Sequence, residues 1–279
     1  MQVAPRYLPA FFISGGIPQI NWEHPITQNL AGLWVPGIAQ FNFVKGTQLA
    51  IMDTTNIGFR ASPYGTAYAL NGANLSVGFQ SLDVPYLAKS GGVNWTIWGI
   101  AELNNSIPGG LVNGASLYGE RGSSGNDIIK LDFSYSSAAF DNMEIVLRDD
   151  AGTLLKVNTA VDGSRDGMFH SWAGTKIGNG GSNNVTLWKD GQIHAQGSWT
   201  GVDSYTDATL TSTIGYDIFD TSGNWPGMIA IVGVWTRALN QSEILLLQND
   251  PFCMLYLPEE FIAATINGFL FNLMPQILW

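Results

Sequence analysis

The sequence predicts an all-β protein, an antiparallel two-sheet sandwich with one short helix near its C-terminal end. Short runs of β-branched and aromatic residues alternate with clusters of Gly, Asn, Asp and Ser along most of the 279 residues. Amphipathic helical periodicity is nearly absent before residue 240. The strand-like runs are too many for one sheet of ordinary width, so two packed sheets are expected.

The predicted strands share β-branched or aromatic residues and are bounded by turn residues. They cover residues 31–35, 68–70, 75–77, 95–103, 116–120, 128–134, 143–148, 154–157, 169–177, 184–189, 192–197, 209–215 and 227–235.

The residues of two segments between these runs predict tight turns. The segment from Asp149 to Gly152 supplies a glycine for a positive φ, and Asp190-Gly191 has the sequence of a two-residue hairpin loop. Both segments predict corners of an antiparallel meander.

A helix is predicted over residues 240–248. Asn240 can cap its N-terminus and Glu243 can complete a capping box, while Ile244 and Leu247 form an apolar side. The Asp250-Pro pair ends the helix, because the residue before proline disfavours helical geometry.

Three segments follow from this pattern: an N-terminal arm over residues 1–20, the sandwich over 21–256, and an apolar C-terminal docking tail over 257–279. Both end segments are apolar and contain proline, so we expect them to lie on the domain or on a neighbouring subunit. The tail contains Asn267, Asn272, Pro275 and Gln276, which argue against a membrane span and leave an interfacial membrane segment as the alternative. The N-terminus lacks the pattern of a secretory signal, which favours synthesis and assembly in a cytoplasm.

Composition excludes some functions. Twelve Lys and Arg against 22 Asp and Glu give a formal charge of −10, which disfavours nucleic-acid binding. Charged residues are only 12% of the chain, and such a weakly charged surface is typical of proteins that pack against partners or bind sugars. The single cysteine, Cys253, allows no intrachain disulfide and is expected to be a buried, inert thiol.

Six motifs occur in order between residues 21 and 257. They are Tyr68-Ala-Leu-Asn-Gly-Ala-Asn-Leu-Ser-Val, Asn94-Trp-Thr-Ile-Trp, Phe169-His-Ser-Trp-Ala-Gly-Thr, Val185-Thr-Leu-Trp-Lys-Asp-Gly, Ser212-Thr-Ile-Gly and the run from Gly227 to Ile244. Together they resemble a laminin-G-like domain of the concanavalin A-like lectin and glucanase superfamily. The resemblance implies a jelly-roll sandwich.

The opening run from Ile20 to Trp34 and the closing Asn249-Asp-Pro-Phe resemble versions of this domain found in tailed-phage genomes. This implies a virion protein, a capsid decoration or a head- or tail-associated subunit. Its expected partners are other virion subunits and further copies of itself, with a trimer as the expected oligomer. The alternative is a carbohydrate-binding adhesin, and a glycan hydrolase is the third hypothesis, because one fold hosts all three functions.

No catalytic set is visible in the sequence, which predicts that the protein is not an enzyme. The Glu-x-Asp-x-x-Glu run of the glucanases that share this fold is missing, and Glu144 is expected to be an exposed strand residue near Arg148. The histidines His24, His170 and His194 have no metal-binding spacing and are expected to be structural or to lie on the surface.

One loop could hold a metal. Asp217, Asp220 and Asn224 could present hard oxygen ligands to calcium, and some laminin-G relatives hold calcium at one rim of the sandwich. Ordinary turn chemistry is the alternative, since Asp and Asn also hydrogen-bond to nearby backbone. No other cofactor is predicted.

Tryptophans in polar loops are the candidate ligand contacts. Trp199 and Trp225 fall in loops rich in Gly, Ser, Asn and Asp, and Tyr216 precedes the second loop. A sugar could stack on these rings, although such side chains could also cover the edge of the sandwich. Four tryptophans in predicted strands are expected to be buried: Trp95, Trp172, Trp188 and Trp235.

Overall fold

The structure is a computed structural model that describes residues 18–35, 38–51, 57–71, 79–81, 87, 94–104, 115–122, 128–135, 141–158, 165–201, 211–216 and 225–256. The strands within these residues are β1 Gln19–Ile20, β2 Leu30–Trp34, β3 Leu49–Ile51, β4 Ile57–Ser62, β5 Gly65–Asn71, β6 Phe79–Ser81, β7 Trp95–Leu103, β8 Ala115–Arg121, β9 Ile128–Tyr135, β10 Asp141–Arg148, β11 Leu154–Asn158, β12 Phe169–Lys176, β13 Val185–Lys189, β14 Gln192–Gly197, β15 Thr211–Ile214, β16 Pro226–Trp235 and β17 Leu255–Tyr256. A 3-10 helix covers Pro25–Thr27, and the α-helix α1 covers Gln241–Asn249.

Two antiparallel sheets form the body of the protein. Seven strands pair in the order β11-β10-β9-β8-β15-β6-β3, and an eight-stranded sheet has the order β14-β13-β12-β7-β16-β5-β4, with β2 paired to β16. The short strands β1 and β17 pair with each other. This arrangement confirms the predicted fold class, an antiparallel jelly-roll sandwich with one short helix.

The core between the sheets explains the apolar alternation of the strands. Trp95 and Ile97 of β7 face this core, together with Leu131 of β9 and Ile145 of β10. The strand β7 is buried along its whole length, because its alternate residues face a second apolar layer on the other side of the eight-stranded sheet.

The second layer is built by α1 and the segment that follows it. Ile244 and Leu247 of α1 pack in one buried cluster with Trp98 and Trp235. The predicted capping box is present, since the Glu243 amide donates to Asn240 Oδ1 at 3.1 Å and the Asn240 amide donates to Glu243 Oε2 at 2.9 Å.

Both predicted turns are also present. Asp190 and Gly191 have φ values of 50° and 74°, as a type I′ hairpin requires, and a Cβ at Gly191 would collide with Leu245 of α1. The Gly152 amide donates to the Asp149 carbonyl at 2.9 Å, with a φ of 81° at Gly152.

The sequence pattern missed the shorter strands. The strands β1, β3, β6 and β17 contain two or three residues each, too few to show a period of two. The longer strand β4 was also missed, although Gly58, Arg60 and Ser62 alternate with apolar residues along it and its period of two is visible in the sequence. The predicted strand 75–77 lies outside the described residues.

The ends of the folded body lie side by side. Gln19 pairs with Tyr256 and Ile20 with Leu255, so residues 19 and 20 belong to the body although the pattern assigned them to the arm. Residues 1–17 and 257–279 lie outside the described part of the chain, so the arm and the tail remain predictions. No helix among the described residues combines the length and the apolar content that a membrane crossing would need.

Candidate functional site

The structure corrects the predicted aromatic contacts. Trp199 and Trp225 are 1% and 0% exposed, and Tyr216 is also buried. The Trp225 indole N–H donates to the Glu102 carbonyl at 2.9 Å, and both tryptophans belong to the core between the sheets. The expectation that a ligand reaches these rings is therefore wrong, because both indoles fill the core between the sheets and the Tyr216 ring is buried.

The predicted calcium ligands Asp217, Asp220 and Asn224 lie outside the described residues, so this site remains a prediction. Within the described ranges, no group of three or more His, Cys, Asp or Glu side chains is arranged to hold a metal ion.

Exposure distinguishes one tryptophan from the others. Nine of the ten tryptophans lie in the described residues, and Trp22 is 57% exposed. The other eight are buried: Trp34, Trp95, Trp98, Trp172, Trp188, Trp199, Trp225 and Trp235. Among the described residues, Trp22 is the largest apolar side chain that is exposed, and it presents both the stacking area and the N–H donor of an indole.

Hydrogen bonds on both sides fix the backbone of the Trp22 loop. The Asn21 amide donates to the Met254 carbonyl at 2.8 Å, and the Glu23 amide donates to Asn21 Oδ1 at 3.1 Å. On the other side, His24 Nδ1 accepts from the Ile26 amide at 3.2 Å within the turn, and the Ile26 carbonyl accepts from the Trp235 indole N–H at 2.7 Å. The loop is therefore tied to the body before and after the indole.

Polar side chains flank this indole in the sequence. Glu23 is exposed, and Asn21 and His24 are half-buried. An apolar ring beside hydrogen-bonding groups is the usual composition of a site that stacks on a sugar. Sequence reasoning missed Trp22, although its neighbours have the same polar character that singled out Trp199 and Trp225.

A second cluster lies where β12 begins. His170 Nδ1 is 2.6 Å from Asp190 Oδ2, and His170 Nε2 is 2.9 Å from Asp166 Oδ2. The hydrogen bond with Asp190 raises the pKa of His170, and the bond with Asp166 adds to this, although burial opposes both. Burial would raise the pKa of Asp166, but hydrogen bonds from His170 and the Met168 amide hold it below its usual value. The histidine has a structural role, as predicted, whereas its two acidic partners were not predicted from the sequence.

The ring of Trp172 packs against this cluster. The His170 ring meets it edge-on with centroids 6.0 Å apart, and the His194 ring does so at 5.8 Å. The Lys189 ammonium lies 5.0 Å from the centroid of the same indole. Trp172 itself is buried, so it packs these groups and offers no open face.

A polar row crosses the outward face of the seven-stranded sheet. Ser116, Asp132, Glu144 and Asn158 are paired in register across β8, β9, β10 and β11. Antiparallel residues that face each other in this way have Cβ atoms about 4.5–5.5 Å apart, so the two carboxyl groups are neighbours. Sequence reasoning missed this pair of acids, because they lie on different strands and the pairing is not visible from either one.

The carboxylates of this row are already engaged. Lys130 Nζ lies 2.7 Å from Asp132, and Lys156 Nζ lies 2.9 Å from Glu144. Ser116 donates to Asp132 at 3.2 Å, and Asn158 donates to Glu144 at 3.1 Å.

Glu144 corrects the prediction of an exposed residue near Arg148. It is 2% exposed, and its cation is Lys156 on the neighbouring strand. The alternation correctly placed Glu144 on the outward face, but it carries no information on whether that face is accessible.

Cys253 is partly buried, as a structural thiol would be. Burial, followed by the charge of Asp250, raises the pKa of its thiol to about 12, so the reactive thiolate is scarce at neutral pH.

Solved structures with similar folds have low sequence identity to this chain. Domain 4 of AbnA, a GH43 extracellular arabinanase from Geobacillus stearothermophilus, in complex with arabinotriose, is 14% identical with a TM-score of 0.54, over 79% of this chain and 98% of that domain. The binding domain of Botulinum neurotoxin DC, in complex with rat synaptotagmin II, is 9% identical with a TM-score of 0.57, over 80% of this chain and 52% of that one. The Trypanosoma rangeli sialidase in complex with sialic acid is 17% identical with a TM-score of 0.52, over 82% of this chain and 34% of the sialidase.

This chain thus spans about half of the neurotoxin domain and a third of the sialidase. At these identities the likeness shows the fold alone. No family model matches the sequence, and no curated protein matches it.

Proposed function

We propose that this chain is a non-catalytic recognition module that binds glycans through the surface around Trp22. The exposed indole of Trp22 carries the proposal. Eight other tryptophans are buried, and this one is held in water by a loop whose backbone is fixed on both sides. A rigid, exposed indole offers stacking area for a sugar ring at a small loss of conformational entropy on binding.

The comparisons support a binding role. The arabinanase domain was solved with arabinotriose, the sialidase with sialic acid and the neurotoxin domain with a protein receptor. The acidic balance of the chain favours neutral or cationic sugars over strongly anionic ones.

The non-catalytic part of the proposal is supported by the polar row. Its two carboxylates, Asp132 and Glu144, each accept hydrogen bonds from a lysine and from a neutral donor. A glycosidase needs one carboxyl that gives a proton and another that attacks or activates water. An assay with polysaccharides tests this directly, and turnover that Glu144→Gln abolishes would overturn it.

The biological setting is proposed to be a phage virion, in which the module docks to capsid or tail subunits as a homo-oligomer, with a trimer as the expected state. The phage-type motifs, the low charge and the apolar terminal segments support this. Deleting residues 257–279 is expected to reduce incorporation into particles. Unchanged incorporation, together with a monomeric mass in solution, would contradict the setting without affecting the glycan site.

The glycan site is tested by comparing two exposed aromatic residues. Trp22→Ala is expected to weaken binding on a glycan array by about 30-fold, the effect of removing a dominant contact. Phe59→Ala is the matched control, because Phe59 is 48% exposed on the edge strand β4. Equal binding by both variants would refute the Trp22 site, and binding to proteins with no binding to glycans would favour a protein receptor.

Calcium bound by Asp217, Asp220 and Asn224 is a separate proposal. Calorimetric titration with calcium, repeated on Asp217→Asn, tests it. The expected result is saturable binding that the variant loses, and no heat of binding in the parent protein would refute it.

A further inference from the structure

The ring of His170 joins two turns that are far apart in the sequence. Asp166 belongs to the turn that precedes β12, and Asp190 belongs to the hairpin between β13 and β14. Both contacts are shorter than 3.0 Å, and both partners are carboxylates, which only accept hydrogen bonds when ionised. Both ring nitrogens therefore donate, which requires the doubly protonated imidazolium.

We propose that His170 is a pH-operated latch that clasps the 165–168 turn to the β13–β14 hairpin. The neutral imidazole has one donor only, so loss of a proton leaves a ring lone pair facing a carboxylate oxygen within hydrogen-bonding distance. That contact turns from attractive to repulsive, and one side of the latch opens. This inference does not depend on the proposed glycan site.

The surroundings determine which side opens. Asp190 is held a second time, because its Oδ1 accepts from the Ser171 amide at 3.0 Å. Asp166 has no such tie to β12 beyond His170 among the described contacts, since its other bond, from the Met168 amide at 2.8 Å, lies within its own turn. The 165–168 turn is otherwise tied to the end of β7, because the Gly167 amide donates to the Leu103 carbonyl at 3.1 Å and Arg165 Nε donates to the Asn104 carbonyl at 3.3 Å. Loss of the Asp166 contact therefore releases the Asp166 side of this turn and loosens these two bonds.

The charged groups around His170 favour its protonated form. Asp166 faces it from the preceding turn, while Asp190 and Lys189 face it from the hairpin. Its own strand contributes the uncharged Trp172 and Ala101 lies opposite on β7, while Glu102 of β7 carries a charge that interacts with Asp166. The two acids outweigh the repulsion from Lys189, so the pKa of His170 is raised.

The sign of the pH effect follows. Because the pKa of His170 is raised in the folded protein, the stabilisation is full below the ordinary value of about 6.5 and is lost as pH rises through the folded value. The pKa of Asp166 is lowered, so its contribution is lost only when pH falls well into the acid range. The latch is closed between these two limits.

Nuclear magnetic resonance on the intact chain tests the latch. The imidazole signals of His170 should titrate above about 6.5, and the hydrogen-exchange protection factor of the Gly167 amide, which donates to the Leu103 carbonyl, should fall by about 10-fold across that titration. A titration at or below the ordinary value, or constant protection at Gly167, would overturn the proposal.

Two variants separate the latch from general loosening of the fold. Asp166→Asn keeps the ring and removes one charged partner, so the His170 titration should move towards about 6.5 and Gly167 should stay weakly protected at every pH. His194→Gln changes the other histidine on Trp172 and should leave the His170 titration unchanged. If Asp166→Asn left the titration in place, or His194→Gln shifted it equally, the latch would be refuted.

Discussion

The central strands of the two sheets both bury their outward side chains, but they do so with different chemistry. The eight-stranded sheet presents Trp98 and Trp235 to α1 and forms an apolar layer there. The seven-stranded sheet presents Asp132 and Glu144, each paired with a lysine. The comparison teaches that a polar outward face and an accessible outward face are separate properties of a sandwich.

The difference also explains how the two sheets appear in the sequence. Strand β7 is apolar through almost its whole length, because both of its faces contact apolar layers. Strand β10 alternates between apolar and polar residues and has the pattern of a half-exposed strand. Each pattern reports the polarity of the neighbouring layer, and neither reports its access to water.

The largest expected effect is on the apolar layer. Trp235→Ala should destabilise the protein by about 4 kcal/mol, because it leaves a cavity under α1. It also removes the hydrogen bond that the indole N–H donates to the Ile26 carbonyl at 2.7 Å. Chemical denaturation measures the change in the free energy of unfolding. Trp235→Phe keeps most of the apolar contact and should cost clearly less; an equal cost would show that the packing contributes little.

The polar face should respond to loss of a charge partner. Asp132→Ala should destabilise by about 3 kcal/mol, because it leaves the Lys130 ammonium, whose side chain is 10% exposed, without its carboxylate. The double variant Lys130→Met with Asp132→Ala removes both charges and should recover part of this loss. If the double variant were less stable than the single one, the ion pair would not be the cause.

The helix that covers the apolar face depends on its cap. Asn240→Ala should cost about 1 kcal/mol, because it removes the acceptor for the Glu243 amide at the start of α1. Thermal unfolding measures this, with the exposed Ser242→Ala on the first turn as the control. An equal loss of stability in the control would show that the exposed surface of the helix, and not its cap, determines the change.

The smallest expected effect is pH-dependent. Burial would raise the pKa of Glu243, but hydrogen bonds from Arg237 and the Asn240 amide, with the charge of Arg237, hold it below its usual value. Its stabilising contribution is therefore present above the unfolded pKa and is lost as pH falls through the lowered folded value. Arg237→Leu should flatten this acid limb in unfolding curves recorded between about pH 3 and pH 6, and an unchanged limb would contradict it.

Much of the fold could be predicted, because local chemistry determines it. Asp190-Gly191 supplies the two positive φ values of its hairpin, and Asn240 with Glu243 marks the start of the helix within one residue. The long apolar strand β7 and the alternating strand β14 were found with the observed bounds.

The candidate sites could not be predicted as well, because they depend on contacts between distant segments. Trp22, Trp199 and Trp225 all have polar neighbours in the sequence, but only the packing of the sheets determines which indole stays in water. Asp132 and Glu144, like His170 and Asp190, are brought together by strand pairing, and a single sequence does not show register between strands.

The pairing of β1 with β17 brings the entry and the exit of the folded body to adjacent positions. A unit whose two connections meet in this way can be spliced into a surface loop of an unrelated host without stretching either partner. The stretch from Gln19 to Tyr256 is therefore suited to insertion into another protein, and its two junctions would need linkers of only a few residues.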